Sequence, residues 1–435
     1  MTLDKRAWPW AIAGISFVAL LGAAAFRSTP GALVDPLKQE FGWSNGTMGL
    51  AMSVNMALYG ITAPFASALT ERFGVRRITA GAMTLIALGS GLTLFMTAAW
   101  QLVLLWGVMV GLGAGAISLG FVATITTRWF RTRQGLVDGI LSASSATGSL
   151  LFLPLVAALA QSTGGWRSAA AVVSLVALST VPLILFFFRE YPADLGIPPY
   201  GADEIEPRPE PTRSAARLAV RTLYDAAHKP AFWLMALAFA ICGASTNGLI
   251  QTHFIPSAMD AGMPSVAAAG LLSLIGVFDL LGTVFSGWLT DRIDPRLLLA
   301  TFYVLRGVSL LVLPSLFGQS ISGPMLVFVV FYGMDFLATV PPTVALCREH
   351  FGMSAGIVFG WVFASHQLGA GIAAAAAGLA RDSLGHYAPV WHVAGFLSIG
   401  AALLSLSVRH LRPTEPVAVT GGDPLDERPA EKVHD

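Results

Sequence analysis

Apolar residues run along this chain in twelve blocks of helix length, separated by short polar or charged breaks. An α-helix needs about 20 apolar residues to cross a bilayer. The blocks are therefore predicted as membrane spans at residues 9–33, 46–69, 78–97, 101–125, 136–160, 168–188, 231–255, 266–290, 297–316, 324–345, 354–379 and 390–409. Six lie on either side of a polar connection. The predicted organisation is a first bundle over 1–188, a cytoplasmic linker over 189–230, a second bundle over 231–411 and a disordered tail over 412–435. The polar start with Lys5 and Arg6 has the flavour of a secretory signal. The apolar run from Ala7 is too long for one and lacks a small-x-small cleavage site, so it is kept as span one.

Composition supports the same fold class. Of 435 residues, 55% are hydrophobic and 12% charged, where a soluble domain carries about 25% charged residues. The prediction is an all-α polytopic membrane protein, with twelve transmembrane helices in two pseudo-symmetric six-helix bundles. A net charge of +1 gives no electrostatic reason to expect a nucleic-acid partner. Cys242 and Cys347 form no disulfide framework or metal cluster and are read as packing residues.

Orientation comes from the basic residues. Placing the N-terminus inside puts 21 of the 26 Lys and Arg on the cytoplasmic side, leaving Lys38, Arg167 and Arg381 outside and Arg27 and Arg306 within spans. The positive-inside rule then predicts a multi-pass protein of the plasma (inner) membrane with both termini cytoplasmic. In the connection, Pro192, Pro198, Pro199, Pro207, Pro209 and Pro211 predict an extended linker. Beyond it, Leu218 and Leu223 alternate with Arg213, Arg217 and Arg221. That pattern suits a basic amphipathic helix on the membrane face or an ordinary solvated linker helix.

The turns after spans two and eight read Leu69-Thr70-Glu71-Arg72 and Leu289-Thr290-Asp291-Arg292, with the two acids 220 residues apart. This is the mark of an internal duplication. The first copy, Ser67-Ala68-Leu69-Thr70-Glu71-Arg72-Phe73-Gly74-Val75-Arg76, and the second, Gly287-Trp288-Leu289-Thr290-Asp291-Arg292-Ile293-Asp294, resemble the Gly-x-Leu-x-Asp-Arg-x-Gly-Arg loop of the major facilitator superfamily. Ser67, Glu71 and Asp294 depart from it. Glu40-Phe41-Gly42-Trp43-Ser44, Arg128-Trp129-Phe130, Arg133-Gln134-Gly135-Leu136, Pro154-Leu155 and Gly165-Trp166-Arg167 resemble the branch of monocarboxylate transporters and oxalate/formate exchangers. The resemblance covers residues 9–410. It implies two bundles rocking around a central site. Glu71, Arg72, Arg76, Asp291 and Arg292 then either gate, bridging helix ends in one state and releasing them in another, or simply set topology.

Charges inside spans carry the chemical argument, because an ionisable group at mid-bilayer costs at least about 2.5 kcal/mol on insertion scales. Antiparallel neighbours rise equally per residue, so depth is counted from each turn. From Ile293, Asp279 lies 14 residues before and Arg306 13 after; from Ser320, Arg306 lies 14 before and Asp335 15 after; from His350, Asp335 lies 15 before and His366 16 after. All four are predicted to share one layer. It is read either as a proton-coupling site, with one carboxylate paired to Arg306, or as a closed ion-pair network. Pro341-Pro342 is expected to bend span ten.

Arg27 is the leading substrate residue. Pro30-Gly31 is expected to interrupt span one just beyond it, and a guanidinium can hold a carboxylate bidentately; the alternatives are snorkelling or pairing with an acid. The resemblance agrees, since monocarboxylate transporters place a cation at about this part of span one. Their usual arginine on span eight is Thr283 here. Further candidate ligands are Asn247 with Gln251, Asn55 with Tyr59, each pair four residues apart and so on one helix face, and His366 with Gln367; His253 is a weaker one. Gly107, Gly111 and Gly115 on span four are read as close helix packing.

Span five lacks the Gly-Pro pair of drug/proton antiporters, and no P-loop or His-Glu-x-x-His occurs. The expected function is secondary transport of a small organic anion, a monocarboxylate, by alternating access with proton symport. Efflux or exchange of another small metabolite or drug and a non-transporting membrane sensor are the alternatives. No enzyme activity and no cofactor are expected. The expected partners are the substrate, H+ and the lipid bilayer, with the chain a monomer.

Overall fold

The computed structural model describes residues 7–43, 45–160, 165–208 and 214–408; the side chains of residues 25–35 and of some positions in spans two and five fall outside that description. The six spans of the first bundle are Trp8–Phe41, Asn45–Phe73, Val75–Thr93, Ala99–Trp129, Gln134–Ala160 and Gly165–Phe187. Those of the second are Pro230–Asp260, Ser265–Thr290, Pro295–Leu316, the divided pair Gly323–Asp335 and Val340–Phe351, Ala355–Leu384 and Ala388–Ser407. Helices are the form that hydrocarbon permits, because each satisfies its own backbone groups. Large apolar side chains such as Phe95, Phe186, Val266 and Leu379 point outward, where lipid replaces water as the solvent.

Local chemistry sets the ends. Asp294 accepts the N–H of Arg296 (2.9 Å) to start span nine, and Ser322 accepts that of Met325 (3.3 Å) to start span ten. Gly42, with φ of 66°, ends span one in the left-handed conformation that glycine adopts without strain. Span one runs through Pro30-Gly31 without the expected interruption. One missing N–H removes one hydrogen bond, and the turns on either side keep theirs.

Three other spans are irregular. Span four has π-helical turns over Val103–Val110, and span seven over Ala244–Ile250. Span ten breaks between Asp335 and Val340. Pro341 and Pro342 have no N–H to offer the preceding turn, so its carbonyls need other partners.

The connection is ordered where an extended linker was expected. Tyr200 donates its N–H to the Trp129 carbonyl and accepts that of Arg131, both at 2.8 Å, and Trp10 packs edge-on against Phe130 and Tyr200. Beyond residues 209–213, which lie outside the described residues, the predicted amphipathic helix forms over Ala215–Ala227, capped by Ser214. It buries Ala215, Ala219, Thr222 and Ala226 against protein. The side of the molecule carrying this helix is the linker face. The tail predicted to be disordered lies outside the described residues.

The bundles meet most extensively along two pairs of spans, five with eight and two with eleven, and glycine permits both. A Cβ on Gly139 of span five would sit 2.7 Å from the carbonyl of Thr283 on span eight, and one on Gly287 would strike the carbonyl of Gly135. A Cβ on Gly360 of span eleven would sit 2.7 Å from Pro64 of span two. These contacts lie toward the linker face.

Candidate functional site

The break in span ten collects the buried charge of the second bundle. Arg306, on span nine and wholly buried, gives its Nε–H to Asp335 Oδ2 (2.6 Å). Its Nη2 serves the carbonyls of Asp335 (2.6 Å) and Phe336 (3.1 Å), and its Nη1 reaches Cys242 Sγ (2.9 Å) and Ser245 Oγ (3.5 Å) on span seven. A guanidinium has five N–H donors in a planar fork, and here all five have acceptors. Cys242, read from sequence as mere packing, is one of them.

Asp279 serves the same break by a separate link. Its Oδ1 accepts the Thr283 hydroxyl (2.8 Å) and the N–H of Leu337 (3.0 Å), a donor released by the break. Ser286 donates to the carbonyl of Ala338. Arg306 is therefore hydrogen-bonded to Asp335, and Asp279 is held by span eight's own threonine and span ten's backbone. Asp279 and Asp335 are 3% and 5% exposed, and Asp335 Oδ1 is buried with no hydrogen-bond partner among the described residues. That oxygen can accept a proton without breaking any existing bond.

His366, counted into the same layer, packs between Phe239 and Phe363, with ring centroids 4.8 and 5.8 Å away. Its neighbour Gln367 lies against Gly60 of span two, and the Gln367 Oε1 is buried without a hydrogen-bond partner among the described residues. Tyr59 meets Phe363 edge-on at 5.3 Å, so it too faces the other bundle. Asn55 instead donates to the Trp106 carbonyl of span four (2.8 Å).

Asn247, within the π-helical turns of span seven, is 7% exposed, and Gln251, four residues on, is open. His253 lies beside the Ala374 carbonyl (2.9 Å) and the Tyr387 hydroxyl (3.3 Å). Gly107, Gly111 and Gly115 do pack closely, against Val54, Asn55 and Thr62 of span two. The side chain of Arg27, the leading substrate candidate, lies outside the described residues.

At the linker face the duplicated acids have diverged. Glu71 pairs with Arg128 of span four inside its own bundle (2.8 Å). Asp291 crosses to the other bundle and accepts the N–H groups of Gly135 (2.7 Å) and Leu136 (2.9 Å), capping span five. A carboxylate there satisfies two orphan donors and meets the positive end of the helix dipole. Arg72 and Arg292 stay on their own helices, each against the adjacent ring, Phe73 at 4.8 Å and Trp288 at 4.0 Å. Arg76 contributes its backbone N–H, which Glu190 accepts (3.1 Å) together with that of Val75 (2.6 Å).

Three charged residues here were missed in the sequence. Glu190 caps span three. Asp138 of span five, wholly buried, pairs with Arg348 at the end of span ten across the bundle interface (2.5 Å). The sequence signal for Asp138 was a single carboxylate between Gly135 and Gly139 near the start of an apolar span. In the sequence Arg348 counts only as a topology charge. Among the described residues, no group of three His, Cys, Asp or Glu side chains could hold a metal ion.

Known proteins agree with this architecture. The family model of the Major Facilitator Superfamily matches residues 15–374 and again 265–433. The "Uncharacterized MFS-type transporter YcxA" of Bacillus subtilis (strain 168) is 25% identical over 86% of this chain and 88% of its own length. "Monocarboxylate transporter 11" of Homo sapiens is 25% identical over 94% of this chain and 84% of its own. Among solved structures, the proton:xylose symporter XylE superposes with a TM-score of 0.72 at 16% identity, over 93% of this chain and 96% of that one.

Proposed function

Because the chain belongs to the major facilitator superfamily, a family of transporters and not of enzymes, we propose that it carries a small organic anion, a monocarboxylate, together with a proton by alternating access. The linker face is the cytoplasmic side of the plasma membrane in this reading, since the basic residues gather there. Both termini are cytoplasmic. The chain acts as a monomer of two bundles, 1–188 and 231–411, joined by the 189–230 connection, with the 412–435 tail disordered.

The bundles rock about a central site. Contacts between spans five and eight and between spans two and eleven favour a form closed toward the cytoplasm, with Asp291 and the Asp138–Arg348 pair as its fasteners. Substrate enters from the outside. Arg27 holds its carboxylate, and Tyr59 and Gln367, which face the other bundle from spans two and eleven, add polar contacts. Similarity to proteins named monocarboxylate transporters supports the substrate class.

The observation that carries the coupling is the buried Arg306–Asp335 pair with its unpartnered carboxylate oxygen. A proton taken up at Asp335 Oδ1 neutralises the carboxylate and weakens its hold on Arg306. The break in span ten, beyond which the lower half runs on to Arg348, thereby loses part of its anchor to span nine. The proton site and the cytoplasmic fastener thus lie on one broken helix, and Asp279 holds the break at its other side.

Reconstituted vesicles test this directly. Uptake of labelled lactate should rise with an inward proton gradient and vanish in Arg27→Ala. Uptake indifferent to the gradient but stimulated by lactate inside would make the protein an exchanger, and indifference to all small carboxylates would discard the substrate class.

A further inference from the structure

The linker helix Ala215–Ala227 lies across the boundary between the bundles. Its buried stripe, Ala215, Ala219, Thr222 and Ala226, recurs every three or four residues and so occupies one face. Ala215 and Ala219 pack in a single cluster with Ala68, Phe65 and Leu69 of span two and with Ile357 and Trp361 of span eleven. Trp361 donates its indole N–H to the Ala219 carbonyl (3.1 Å) and packs edge-on against Phe65 of span two, 5.6 Å between centroids. One helix therefore touches both bundles, at span two of the first and span eleven of the second. The small side chains let its backbone come close enough for the tryptophan to reach a carbonyl. Its end is tied down as well, by the Trp233 indole of span seven on the Ala227 carbonyl (2.8 Å).

We propose that this helix is a latch: seated across spans two and eleven, it stabilises the form closed at the linker face and must leave at least one of the two before that face opens. The reason is geometric. Spans two and eleven already approach closely at Pro64 and Gly360, and at Gly60 and Gln367. Rocking the bundles apart at the linker face separates Phe65 and Leu69 from Ile357 and Trp361, and a rigid helix cannot follow both. Whatever contact energy the seat supplies belongs to one state only, so it biases the equilibrium. The outer face, with Val220 and Tyr224 at 55% and 66% exposure, takes no part in the seat.

This inference rests on alternating access but not on any substrate, and its test needs none. Spin labels at Phe73→Cys and Met353→Cys report the separation of spans two and eleven at the linker face; both sites are exposed, and Cys242 and Cys347 are buried. In full-length protein in lipid vesicles, Ala219→Leu should wedge the helix from its seat and raise the longer-distance population about fivefold, the lower end of ordinary coupling. Trp361→Phe keeps the ring and loses only the hydrogen bond, and should shift the same population less. Val220→Ala on the outer face should leave it unchanged. Unaltered distances in both Ala219→Leu and Trp361→Phe, or an equal shift in Val220→Ala, would overturn the latch. Shifted distances without lactate transport would keep the latch and reject the substrate reading.

Discussion

Asp138 and Arg348 join the two bundles at the linker face: the carboxylate, wholly buried on span five, meets the guanidinium of span ten at 2.5 Å. Removing one partner of a buried pair costs about 3–5 kcal/mol, because the other charge stays behind in low dielectric. Arg348→Gln is expected to lower thermal stability markedly, and adding Asp138→Asn in the same chain to restore much of the loss. Equal melting temperatures for the single and double variants would mean that the pair is not closed in the membrane.

Asp291 differs in that its two acceptor bonds cap a helix of the opposite bundle. Losing a helix N-cap costs about 1 kcal/mol, and here the loss falls on the closed form alone. Asp291→Ala should therefore open the linker face about fivefold more often, on the scale where 1.36 kcal/mol is tenfold. A cysteine at Val284, whose backbone lies against Gly139, should react correspondingly faster with a charged maleimide supplied from the linker side. Unchanged reactivity would reduce the Asp291 cap to a topology feature.

Arg306 and Asp335 are predicted to fail in different ways. Arg306→Met strips acceptors in span ten of their donors and leaves Asp335 buried alone, so loss of folded protein is expected. Asp335→Asn keeps hydrogen-bonding capacity and removes the titrating group. It should fold, and its lactate uptake should lose dependence on the proton gradient. Gradient dependence that survives would move the coupling to Asp279.

Two glycines on span eight separate stability from gating. A Cβ on Gly282 strikes the Met334 carbonyl within its own bundle, whereas one on Gly287 strikes Gly135 of the other bundle. Gly282→Ala should destabilise the protein by about 1–3 kcal/mol, the usual cost of overpacking. Gly287→Ala should leave the melting temperature nearly intact and hold the linker face open, seen as faster labelling of the Val284 cysteine. The reverse pattern would refute the division.

Much of this is legible in the sequence. Hydrocarbon demands long apolar helices, so the twelve spans and their grouping followed from hydropathy, and the second-copy motif glycine, Gly287, has its reason in the span crossing it. Depth counting placed Asp279, Arg306, Asp335 and His366 in one layer because antiparallel helices share a rise per residue. Counting could not choose partners. Whether Arg306 held Asp279 or Asp335 depended on helix rotation and on carbonyls freed where span ten breaks ahead of Pro341-Pro342.

The linker face was least legible. Asp138, Glu190 and Arg348 have partners 210, 115 and 210 residues away in sequence, and no local pattern marks such pairings. The acids Glu71 and Asp291 look equivalent in sequence, yet one pairs inside its bundle and the other crosses to the neighbour. Sequence alone determined the solvent, the span count and the duplication, because these depend on each segment's own polarity. Tertiary structure decided which charges meet, which helix end each acid caps and where the linker helix sits, because those depend on how the bundles are rotated against one another.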